Sequence, residues 1–400
     1  MDLNDTPSAN RPHIGFFGRR NAGKSSLVNA VTGQDLAIVS EIAGTTTDPV
    51  YKSMELLPLG PVTIIDTPGV DDDAGELGRR RALRAGQALR RADAAVLVVD
   101  GAVGGTADDE ELIRRFRAAD IPFVVAWNKS DRPGPEPDPG ALAVSALTGA
   151  GVEALKERLA RLIVREEAKL RIVGDLIGPG DFVLLVVPID LAAPRGRLIL
   201  PQQQTIRDIL EADAAAVVVK EHELRETLAG LGRKPSLVIT DSQVFAKVAA
   251  DTPRDVRLTS FSILFARRRG FLDEAVAGAR TLDRLIDGDR VLVAEGCTHH
   301  RQCDDIGTVK LPRWIRHYTG RKIEFAFTAG RDFPDDLSGY RLIVHCGGCM
   351  LNGREMAHRR RQALDGGTPL TNYGVLIAHT QGILERCLEV FPRLRAGEGR

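Results

Sequence analysis

The sequence predicts an α/β protein in which a doubly wound parallel sheet is followed by two smaller α/β domains. Short apolar stretches alternate with helical patterns along the chain, which is typical of strands joined by crossover helices. The alternation stops near residues 168–181, where charged residues and glycine dominate, and then starts again. A chain of 400 residues also exceeds what one ordinary hydrophobic core accommodates. We therefore expect domains at residues 1–167, 175–261 and 262–400.

The first domain is predicted to contain five strands and a closing helix. Each strand is an apolar run that ends in a polar or turn-forming residue, and the runs lie at residues 13–17, 62–66, 94–100, 122–128 and 142–145. The proline-rich segment 131–140 is predicted to be a loop between the last two strands, because the apolar rhythm resumes after it. A helical pattern from about residue 151 to residue 167 closes the domain.

The two later domains repeat the alternation on a smaller scale. In the middle domain, strands are predicted at residues 182–188, 215–219, 236–239 and 256–260, with helical stretches at 203–210, 221–228 and 242–249. This domain carries no catalytic motif, so we expect a scaffold or an oligomerisation domain. The third domain is predicted to begin with a long helix, residues 262–286, followed by a strand at 290–294 and then by the segments that carry cysteine.

Composition excludes several classes of partner. Lys+Arg and Asp+Glu balance at 54 each, so no net field favours nucleic acid or an anionic membrane. No apolar run approaches the ~20 residues that span a bilayer, and the N-terminal residues lack the basic and apolar pattern of a signal peptide. We therefore expect a cytoplasmic protein. Arginine triplets at 79–81, 267–269 and 359–361 have no accompanying aromatic stripe, and we interpret them as solvated helix faces.

The segment Gly18-Arg-Arg-Asn-Ala-Gly-Lys-Ser25 has the spacing of a phosphate-binding loop. It follows a predicted strand and precedes a helical pattern, and its glycines let backbone N–H groups point at phosphates. Lys24 is expected to pair with the β- and γ-phosphates and Ser25 to bind Mg²⁺. The predicted nucleotide contacts in this loop are Gly18, Asn21, Ala22, Gly23, Lys24, Ser25 and Ser26.

Four further motifs follow this loop in the order that P-loop GTPases have. They are Gly44-Thr-Thr-Thr-Asp48, Asp66-Thr-Pro-Gly69, Asn128-Lys-Ser-Asp131 and Ser145-Ala146. The series resembles the GTPase family rather than ATPases, and the resemblance implies that Asp131 accepts hydrogen bonds from the amino and ring N–H groups of guanine. It also implies that Asn128 and Lys129 support the base and that Ser145 and Ala146 belong to the nucleotide-binding residues.

The same resemblance assigns the residues around the γ-phosphate. Thr46 is expected to bind Mg²⁺ in the GTP state, although Thr45 and Thr47 are close enough to compete for this role. Asp66 would hold the metal through water, and Gly69 would sense the γ-phosphate. Lys24, Asn21, Thr46 and Gly69 are the predicted catalytic set for GTP hydrolysis.

Two positions narrow the class of GTPase. Val70 stands where Ras-like GTPases carry a water-orienting glutamine, and an aliphatic side chain cannot position water. Asn21, with the Gly-Thr-Thr-Thr-Asp motif, resembles the potassium-activated TrmE/Era-like branch, in which the asparagine carbonyl binds K⁺ beside the phosphates. The alternative is that Asn21 is only a turn-forming residue in a tight loop.

Cysteine and histidine in the last quarter of the chain predict a metal site. Cys346-Gly-Gly-Cys349 and Cys297-Thr-His299 each follow a predicted strand, so the two pairs meet if these strands lie in one sheet. Three sulfurs, with His299 or His345 as a fourth ligand, fit either a tetrahedral zinc site, which sequence chemistry alone slightly favours, or a [4Fe–4S] cluster with one labile iron. The alternative is that both histidines only donate hydrogen bonds to the ligands. Cys303 and Cys387 have no partner at ligand spacing, and Cys387 is predicted to be a buried small hydrophobe.

Taken together, the two sites resemble those of the HydF family of GTPases, which mature FeFe-hydrogenase. The likeness rests on Gly18–Ser26, the cysteine and histidine constellation, and the segments Val344-His-Cys-Gly-Gly-Cys-Met350 and Thr371-Asn-Tyr-Gly374. It implies an N-terminal GTPase domain, a middle dimerisation domain that makes a homodimer, and a C-terminal [4Fe–4S] domain with Cys297, Cys346 and Cys349 as ligands.

The resemblance also implies a function and partners. The protein would be a scaffold or carrier that receives a diiron precursor of the H-cluster from two radical-SAM maturases and delivers it to apo FeFe-hydrogenase. Two other hypotheses stay open: an RNA- or ribosome-associated TrmE/Era-like GTPase with a structural zinc site, and a structural zinc protein with a regulatory GTPase domain. The balanced charge and the missing aromatic platform argue against RNA binding.

Overall fold

The computed structural model describes residues 11–33, 49–69, 84–164, 171–188, 198–296, 305–330, 332–348 and 351–391. The chain forms two compact units. Unit 1 comprises residues 1–168 with 352–355, and unit 2 comprises residues 169–351 with 356–400. In the ranges given above, no helix has both the length and the apolar character needed to cross a membrane.

Unit 1 is built on a six-stranded sheet of order β2-β3-β1-β4-β5-β6. Its strands are β1 (His13–Phe17), β2 (Val50–Leu56), β3 (Gly60–Asp66), β4 (Ala94–Asp100), β5 (Phe123–Asn128) and β6 (Leu142–Ala143). All neighbouring strands are parallel except β2, which is antiparallel to β3. The five strands predicted from the sequence are confirmed. Strand β2 was not predicted, because an edge strand with exposed polar residues such as Lys52 and Glu55 carries no apolar run.

Helices cover both faces of this sheet. Leu27 of α1 (Lys24–Thr32) and Leu155 of α3 (Val152–Val164) belong to the core on one face, and Phe116 of α2 (Ala107–Ala118) belongs to the core on the other. The connection from β5 to β6 contains turns but no helix, as the sequence predicted for the proline-rich segment. A crossover between parallel strands usually places a helix on the sheet at this point.

Unit 2 contains two four-stranded parallel sheets. The first, of order β10-β9-β7-β8, comprises β7 (Phe182–Val186), β8 (Ala215–Val219), β9 (Leu237–Thr240) and β10 (Arg257–Ser260). The second, of order β12-β11-β13-β14, comprises β11 (Arg290–Ala294), β12 (Glu324–Thr328), β13 (Leu342–His345) and β14 (Leu370–Asn372). These strands confirm the predicted α/β class.

Nine α-helices accompany the two sheets within the described residues. They are α4 (Leu200–Leu210), α5 (Leu224–Gly230), α6 (Phe245–Asp251), α7 (Phe261–Arg268), α8 (Leu272–Ala279), α9 (Leu311–Thr319), α10 (Gly353–Asp365), α11 (Tyr373–Thr380) and α12 (Leu384–Leu388). Only the first three residues of α10 are grouped with unit 1. One continuous hydrophobic core joins both sheets, with Leu184 of β7, Leu264 of α7 and Leu292 of β11 among its members. The two sheets therefore share a single interior.

The predicted long helix at residues 262–286 is wrong. The segment is broken into α7, α8 and a 3₁₀ helix at Arg280–Arg284, and Gly270 lies between α7 and α8 with a φ of 71°. A positive φ ends a right-handed helix, and glycine adopts it without steric cost. No linker precedes this segment, because Ser260 is both the last residue of β10 and the residue whose side chain caps α7 by accepting from Ile263 N.

Candidate nucleotide and metal sites

The predicted phosphate-binding loop joins the end of β1 to the start of α1 and has a strained, glycine-dependent backbone. Gly18 and Gly23 have φ values of 145° and 87°. A Cβ on Gly18 would lie 2.3 Å from the Val98 carbonyl oxygen, and one on Gly23 would lie 2.3 Å from Asn128 Nδ2. Both positions therefore require glycine for conformation and for space. The loop leads directly into the N-terminus of α1, a favourable place for an anion.

Lys24 is held inside this loop. Its Nζ donates to the carbonyl oxygens of Gly18 at 3.0 Å and Arg19 at 2.6 Å. The residue is 7% exposed. Because its side chain bonds to the loop itself, the charge lies close to the place where the loop would surround phosphate groups. Ser26, in the first turn of α1, is half-buried beside it.

Ser25 and Asp66 form the core of a predicted magnesium site. Ser25 Oγ donates to Asp66 Oδ2 at 2.8 Å, while Asp66 Oδ1 is buried without a hydrogen-bond partner among the residues that the structure describes. Burial raises the pKa of Asp66, and the Ser25 hydrogen bond and the charge of Lys24 oppose this shift. An orphaned carboxylate oxygen beside a hydroxyl fits a Mg²⁺ ion and its water shell.

The Asn128-Lys-Ser-Asp131 motif begins at the last residue of β5 and ties two loops together. Asn128 Nδ2 donates to the Ala22 carbonyl at 2.9 Å, and Asn128 Oδ1 accepts from Ala146 N at 3.0 Å. One amide therefore connects the phosphate-binding loop to the Ser145-Ala146 loop. These two bonds fix the orientation of Asn128, and its role in supporting the base stays a prediction.

Lys129 makes a second connection to the phosphate-binding loop. Its Nζ donates to the Asn21 carbonyl oxygen at 2.7 Å and to Asp100 Oδ2 at 2.5 Å. Asn21 has a φ of 60°, a left-handed conformation that asparagine tolerates better than most residues. This conformation by itself accounts for an asparagine at the position, so the K⁺-binding role stays a prediction.

Asp131 is exposed and oriented by Ser145. Ser145 Oγ donates to Asp131 Oδ1 at 2.5 Å, and the same oxygen of Ser145 accepts from Thr148 N at 3.1 Å. The hydrogen bond from Ser145 lowers the pKa of Asp131 and keeps it an ionised acceptor. An acceptor of this kind, fixed at the carboxyl edge of the sheet, suits the two N–H donors of guanine.

The switch residues are only partly within the described structure. Gly69 follows β3 and packs on the phosphate-binding loop, where a Cβ would lie 2.8 Å from Arg20 N. Only glycine fits this contact. The predicted Thr46 and its neighbours, and Val70, lie outside the described residues.

Strands β11 and β13, which precede the two cysteine segments in sequence, lie side by side in one sheet. They are adjacent and parallel, with Ala294 in register with His345, and Cys346 N donates to the Ala294 carbonyl at 2.8 Å. The expectation that both strands lie in one sheet is confirmed. Cys297, His299, Cys303 and Cys349 lie outside the described residues.

Cys346 sits in a turn that stabilises a thiolate. Its Sγ accepts from Gly296 N at 3.0 Å and from Gly348 N at 3.3 Å, and these donors are the residues next to Cys297 and Cys349 in sequence. Gly348 has a φ of 62°, which only glycine adopts freely. Backbone N–H groups directed at sulfur are typical of metal-bound cysteine, so this cradle fits a thiolate-ligated metal.

His345 is engaged through both ring nitrogens. A guanidinium only donates, so Arg359 Nη1, 3.1 Å away, donates to His345 Nε2, and Nδ1–H donates to the Cys346 carbonyl at 2.9 Å. Burial, and then the positive charge of Arg359, lower the pKa of His345 to about 3. In this arrangement both ring nitrogens are engaged, and a metal would have to displace Arg359 to reach Nε2, so metal binding by His345 stays a prediction.

Two arginines that support the cysteine turn were misinterpreted from the sequence as solvated. Arg269 donates to the carbonyl oxygens of Gly347 at 2.6 Å and Gly348 at 3.2 Å. Arg359 is 1% exposed and also donates to the Gly330 carbonyl at 2.8 Å. Both belong to arginine triplets, and a triplet carries no signal that separates a solvated arginine from a buried one.

Sequence analysis also missed a buried acid beside the turn. Glu295 is 4% exposed, and its Oε1 accepts from the Tyr373 hydroxyl at 3.4 Å. Burial raises the pKa of Tyr373, as do the nearby charges of Cys346 and Glu295. Cys387, by contrast, is as predicted: it is fully buried in α12, and burial raises its pKa to about 12.

Three family models match successive parts of the chain. Residues 13–129 match the 50S ribosome-binding GTPase model, residues 172–270 match the hydrogen maturase F dimerization domain, and residues 273–390 match the hydrogen maturase F tetramerization domain. The last two matches fall in unit 2, except for residues 352–355, which belong to unit 1. The site residues of the GTPase motifs lie within or close to the first match.

Curated relatives resemble only part of the chain. The tRNA modification GTPase MnmE of Synechococcus sp. (strain CC9902) is 34% identical over 239 residues, which are 57% of this chain and 48% of the relative. MnmE of Chromobacterium violaceum is 40% identical over 157 residues, which are 38% of this chain and 34% of the relative. The chain thus spans half or less of the length of these relatives.

Solved structures that resemble the chain include an Era protein and a probable GTP-binding protein. Aquifex aeolicus Era, as a single-residue variant bound to GDP and AlF4⁻, is 21% identical with a TM-score of 0.35, covering 54% of this chain and 97% of that one. The probable GTP-binding protein engB is 26% identical with a TM-score of 0.28, covering 38% of this chain and 99% of that one.

Proposed function

Because the chain belongs to the hydrogen maturase F (HydF) family, we propose that it is a scaffold and carrier that matures FeFe-hydrogenase. It is a GTPase with a GTP- and Mg²⁺-binding domain. In the proposed function it holds a [4Fe–4S] cluster, receives a diiron precursor of the H-cluster from two radical-SAM maturases, and delivers it to apo-hydrogenase.

The observation that carries the proposal is the sulfur cradle around Cys346. Gly296 and Gly348 both donate backbone N–H groups to Cys346 Sγ, and each is followed in sequence by another cysteine. This arrangement supports Cys297, Cys346 and Cys349 as the three cluster ligands. An iron without a cysteine ligand would supply an exchangeable position for the precursor. His299 remains the histidine candidate for a fourth ligand.

We assign His345, Arg359 and Arg269 to positioning this turn. His345 donates to the Cys346 carbonyl, Arg359 holds the far side of the imidazole, and Arg269 holds the next two carbonyls of the turn. The two guanidiniums also bring positive charge to the turn that carries Cys346. Such charge stabilises the thiolate form that a soft metal requires.

GTP hydrolysis is assigned to residues of the phosphate-binding loop and the β3 end. We propose that Lys24, which donates to the carbonyl oxygens of Gly18 and Arg19, turns to the β- and γ-phosphates when nucleotide binds, and that Ser25 with Asp66 holds Mg²⁺. We propose that Thr46 completes the metal site in the GTP state. Since Val70 cannot orient water, we propose that K⁺, bound by Asn21, supplies charge stabilisation beside the phosphates.

Oligomerisation follows from the two family domains, and we propose that edge strands provide the contacts. Strand β8 is an edge of the first sheet of unit 2, and Val218 on it is 43% exposed. Strand β12 is an edge of the second sheet, and Phe327 on it is 40% exposed. Apolar side chains on an exposed edge favour pairing with another copy. A homodimer through β8 is the simplest assembly.

Anaerobic purification tests the proposed cluster. A brown protein with iron and inorganic sulfide supports the carrier function, whereas a colourless protein that contains zinc contradicts it and favours a structural zinc site. A second assay tests delivery: protein coexpressed with the two radical-SAM maturases is expected to activate purified apo-hydrogenase. Protein expressed without the maturases is the control and should leave the hydrogenase inactive.

A further inference from the structure

Unit 1 contains a cavity of about 410 Å³ that the nucleotide site does not use. It lies between α2 and the segment that precedes β6, on the face of the sheet where the crossover from β5 has no helix. Val99, Phe123 and Val125 are apolar side chains of its lining from β4 and β5. Its volume is within the range of small-molecule sites, ~300–1,000 Å³.

The lining of this cavity is bipolar. One face of α2 contributes Asp109 and Glu110 near its N-terminus, Ile113 in its middle and Arg117 near its C-terminus. Gly105 lies just before the N-terminus of α2, and a Cβ added to it would be 3.5 Å from Asp138 Oδ2. Asp138 therefore adds a further negative charge at the acidic end. Arg158 also lines the cavity and adds positive charge. Glu110 and Arg117 are separated by seven residues, or ~10 Å along the helix axis.

Asp109 provides an unused buried acceptor. It is 3% exposed, and its Oδ2 accepts from Thr106 N at 3.1 Å and from Thr106 Oγ1 at 2.8 Å, with Arg19 Nε at 3.5 Å. Its Oδ1 has no hydrogen-bond partner in the described part of the chain. A buried carboxylate oxygen without a donor costs free energy unless a ligand supplies one.

We propose that this cavity binds an elongated small molecule that carries a cationic group at one end and an anionic group at the other, joined by an apolar chain. The cationic group donates to Asp109 Oδ1 at the acidic end, with Asp138 and Glu110 nearby. The apolar chain lies on Val99, Val125 and Phe123. The anionic group pairs with Arg117.

The probe for this site is 8-aminooctanoate, whose extended chain matches the separation of the two charged ends. Isothermal titration calorimetry on the full chain is expected to detect one site for it. Octanoate, which lacks the cation, and heptylamine, which lacks the anion, are expected to bind about tenfold more weakly or not at all. Equal binding of octanoate would overturn the proposal, and so would the absence of binding by 8-aminooctanoate at millimolar concentration.

Variants locate the site. Asp109→Asn keeps an acceptor for Thr106 but removes the charge, and it is expected to weaken 8-aminooctanoate binding about tenfold. Arg117→Gln, on an exposed part of α2, tests the opposite end without touching the helix cap. Glu111→Gln is the matched control, because Glu111 pairs with Arg114 and Arg115 outside the cavity. Unchanged binding in both Asp109→Asn and Arg117→Gln would show that the probe binds elsewhere and would refute the proposal.

Discussion

Ser25 Oγ and Asp66 Oδ2 are joined by a 2.8 Å hydrogen bond that links the phosphate-binding loop to the end of β3. The other oxygen of Asp66 is buried with no partner among the described residues, and burial raises the pKa of this carboxyl. A raised folded-state pKa means that the charged form of Asp66 destabilises the nucleotide-free protein as the pH rises. A bound divalent cation removes this penalty, so Asp66 favours metal binding at the expense of stability.

Asp66→Asn is therefore expected to separate metal binding from stability. The Mg²⁺ concentration that supports half-maximal GTP hydrolysis should rise ~10–100-fold, as is typical when an outer-sphere ligand is lost. The midpoint of thermal unfolding of the nucleotide-free protein at neutral pH should stay the same or rise, because a buried charge has gone. An unchanged Mg²⁺ requirement would remove Asp66 from the metal site.

Asp131→Asn is expected to shift base preference away from guanine, because an amide cannot offer two acceptors to the guanine edge. GTP affinity should fall by about tenfold or more, while ATP affinity should not fall. Competition binding between the two nucleotides measures this. Ser145→Ala, which removes only the orienting hydrogen bond, should show a smaller change in the same direction. Unaltered selectivity in Asp131→Asn would contradict the assignment.

GTP hydrolysis is expected to be faster in potassium than in sodium chloride at matched ionic strength. Asn21→Gly is the informative variant, because glycine adopts the φ of 60° without strain while the side-chain carbonyl is lost. The potassium response should disappear in this variant, and nucleotide affinity should remain. If wild-type rates are equal in the two salts, the hypothesis of a cation at Asn21 is wrong.

Cluster binding and GTP turnover are expected to be separable. Cys346→Ser should lower iron and sulfide content, since a hydroxyl is a poor ligand for a soft metal, and should leave GTP turnover within a few-fold of wild type. Lys24→Ala should abolish turnover and leave iron content intact. Cys387→Ser is the matched control for cysteine loss, because Cys387 is buried in α12 away from any ligand spacing. Full activation of apo-hydrogenase by Cys346→Ser would mean that the cluster does not carry the precursor.

His345→Gln is expected to keep the cluster, because both nitrogens of His345 are already hydrogen-bonded and an amide replaces one donor and one acceptor. Iron content and the electron paramagnetic resonance spectrum of the reduced protein should match wild type. A changed spectrum would identify His345 as a ligand.

Arg359→Met leaves His345 Nε2 and the Gly330 carbonyl without a donor, and it should lower the free energy of unfolding by ~1–3 kcal/mol.

The sequence predicted those parts of the fold that depend on one-dimensional patterns. The parallel strands of unit 1 were found because each is an apolar run, whereas β2 was missed because its exposed Lys52 and Glu55 interrupt any run. The break at Gly270 was missed because a single glycine in a helical pattern signals neither a cap nor an interior position. The helix ends there because of the backbone conformation of Gly270, which the residue type alone does not reveal.

The candidate sites likewise contain residues that sequence patterns predicted and residues that only the structure reveals. Motif spacing predicted that Lys24, Ser25, Asp66 and Asn128 lie around one loop, and their hydrogen bonds have this arrangement; their roles toward a nucleotide stay predictions. Arg269 and Arg359 were not recognised, because their contacts with the cysteine turn join residues far apart in sequence. Glu295 was missed for a similar reason, since only the structure reveals that it is buried beside Tyr373.

The junction at Ser260 has a thermodynamic consequence for unit 2. Because Ser260 both ends β10 and caps α7, no linker separates β10 from the helix that follows. The two sheets also share one hydrophobic core, so we expect them to unfold as one cooperative unit. Mass action then applies to the whole unit: any ligand that binds at the end of β13 also raises the free energy of unfolding of the sheet that carries β8. Loading of the cysteine turn thereby protects the edge strand proposed for assembly against unfolding, without any change of shape.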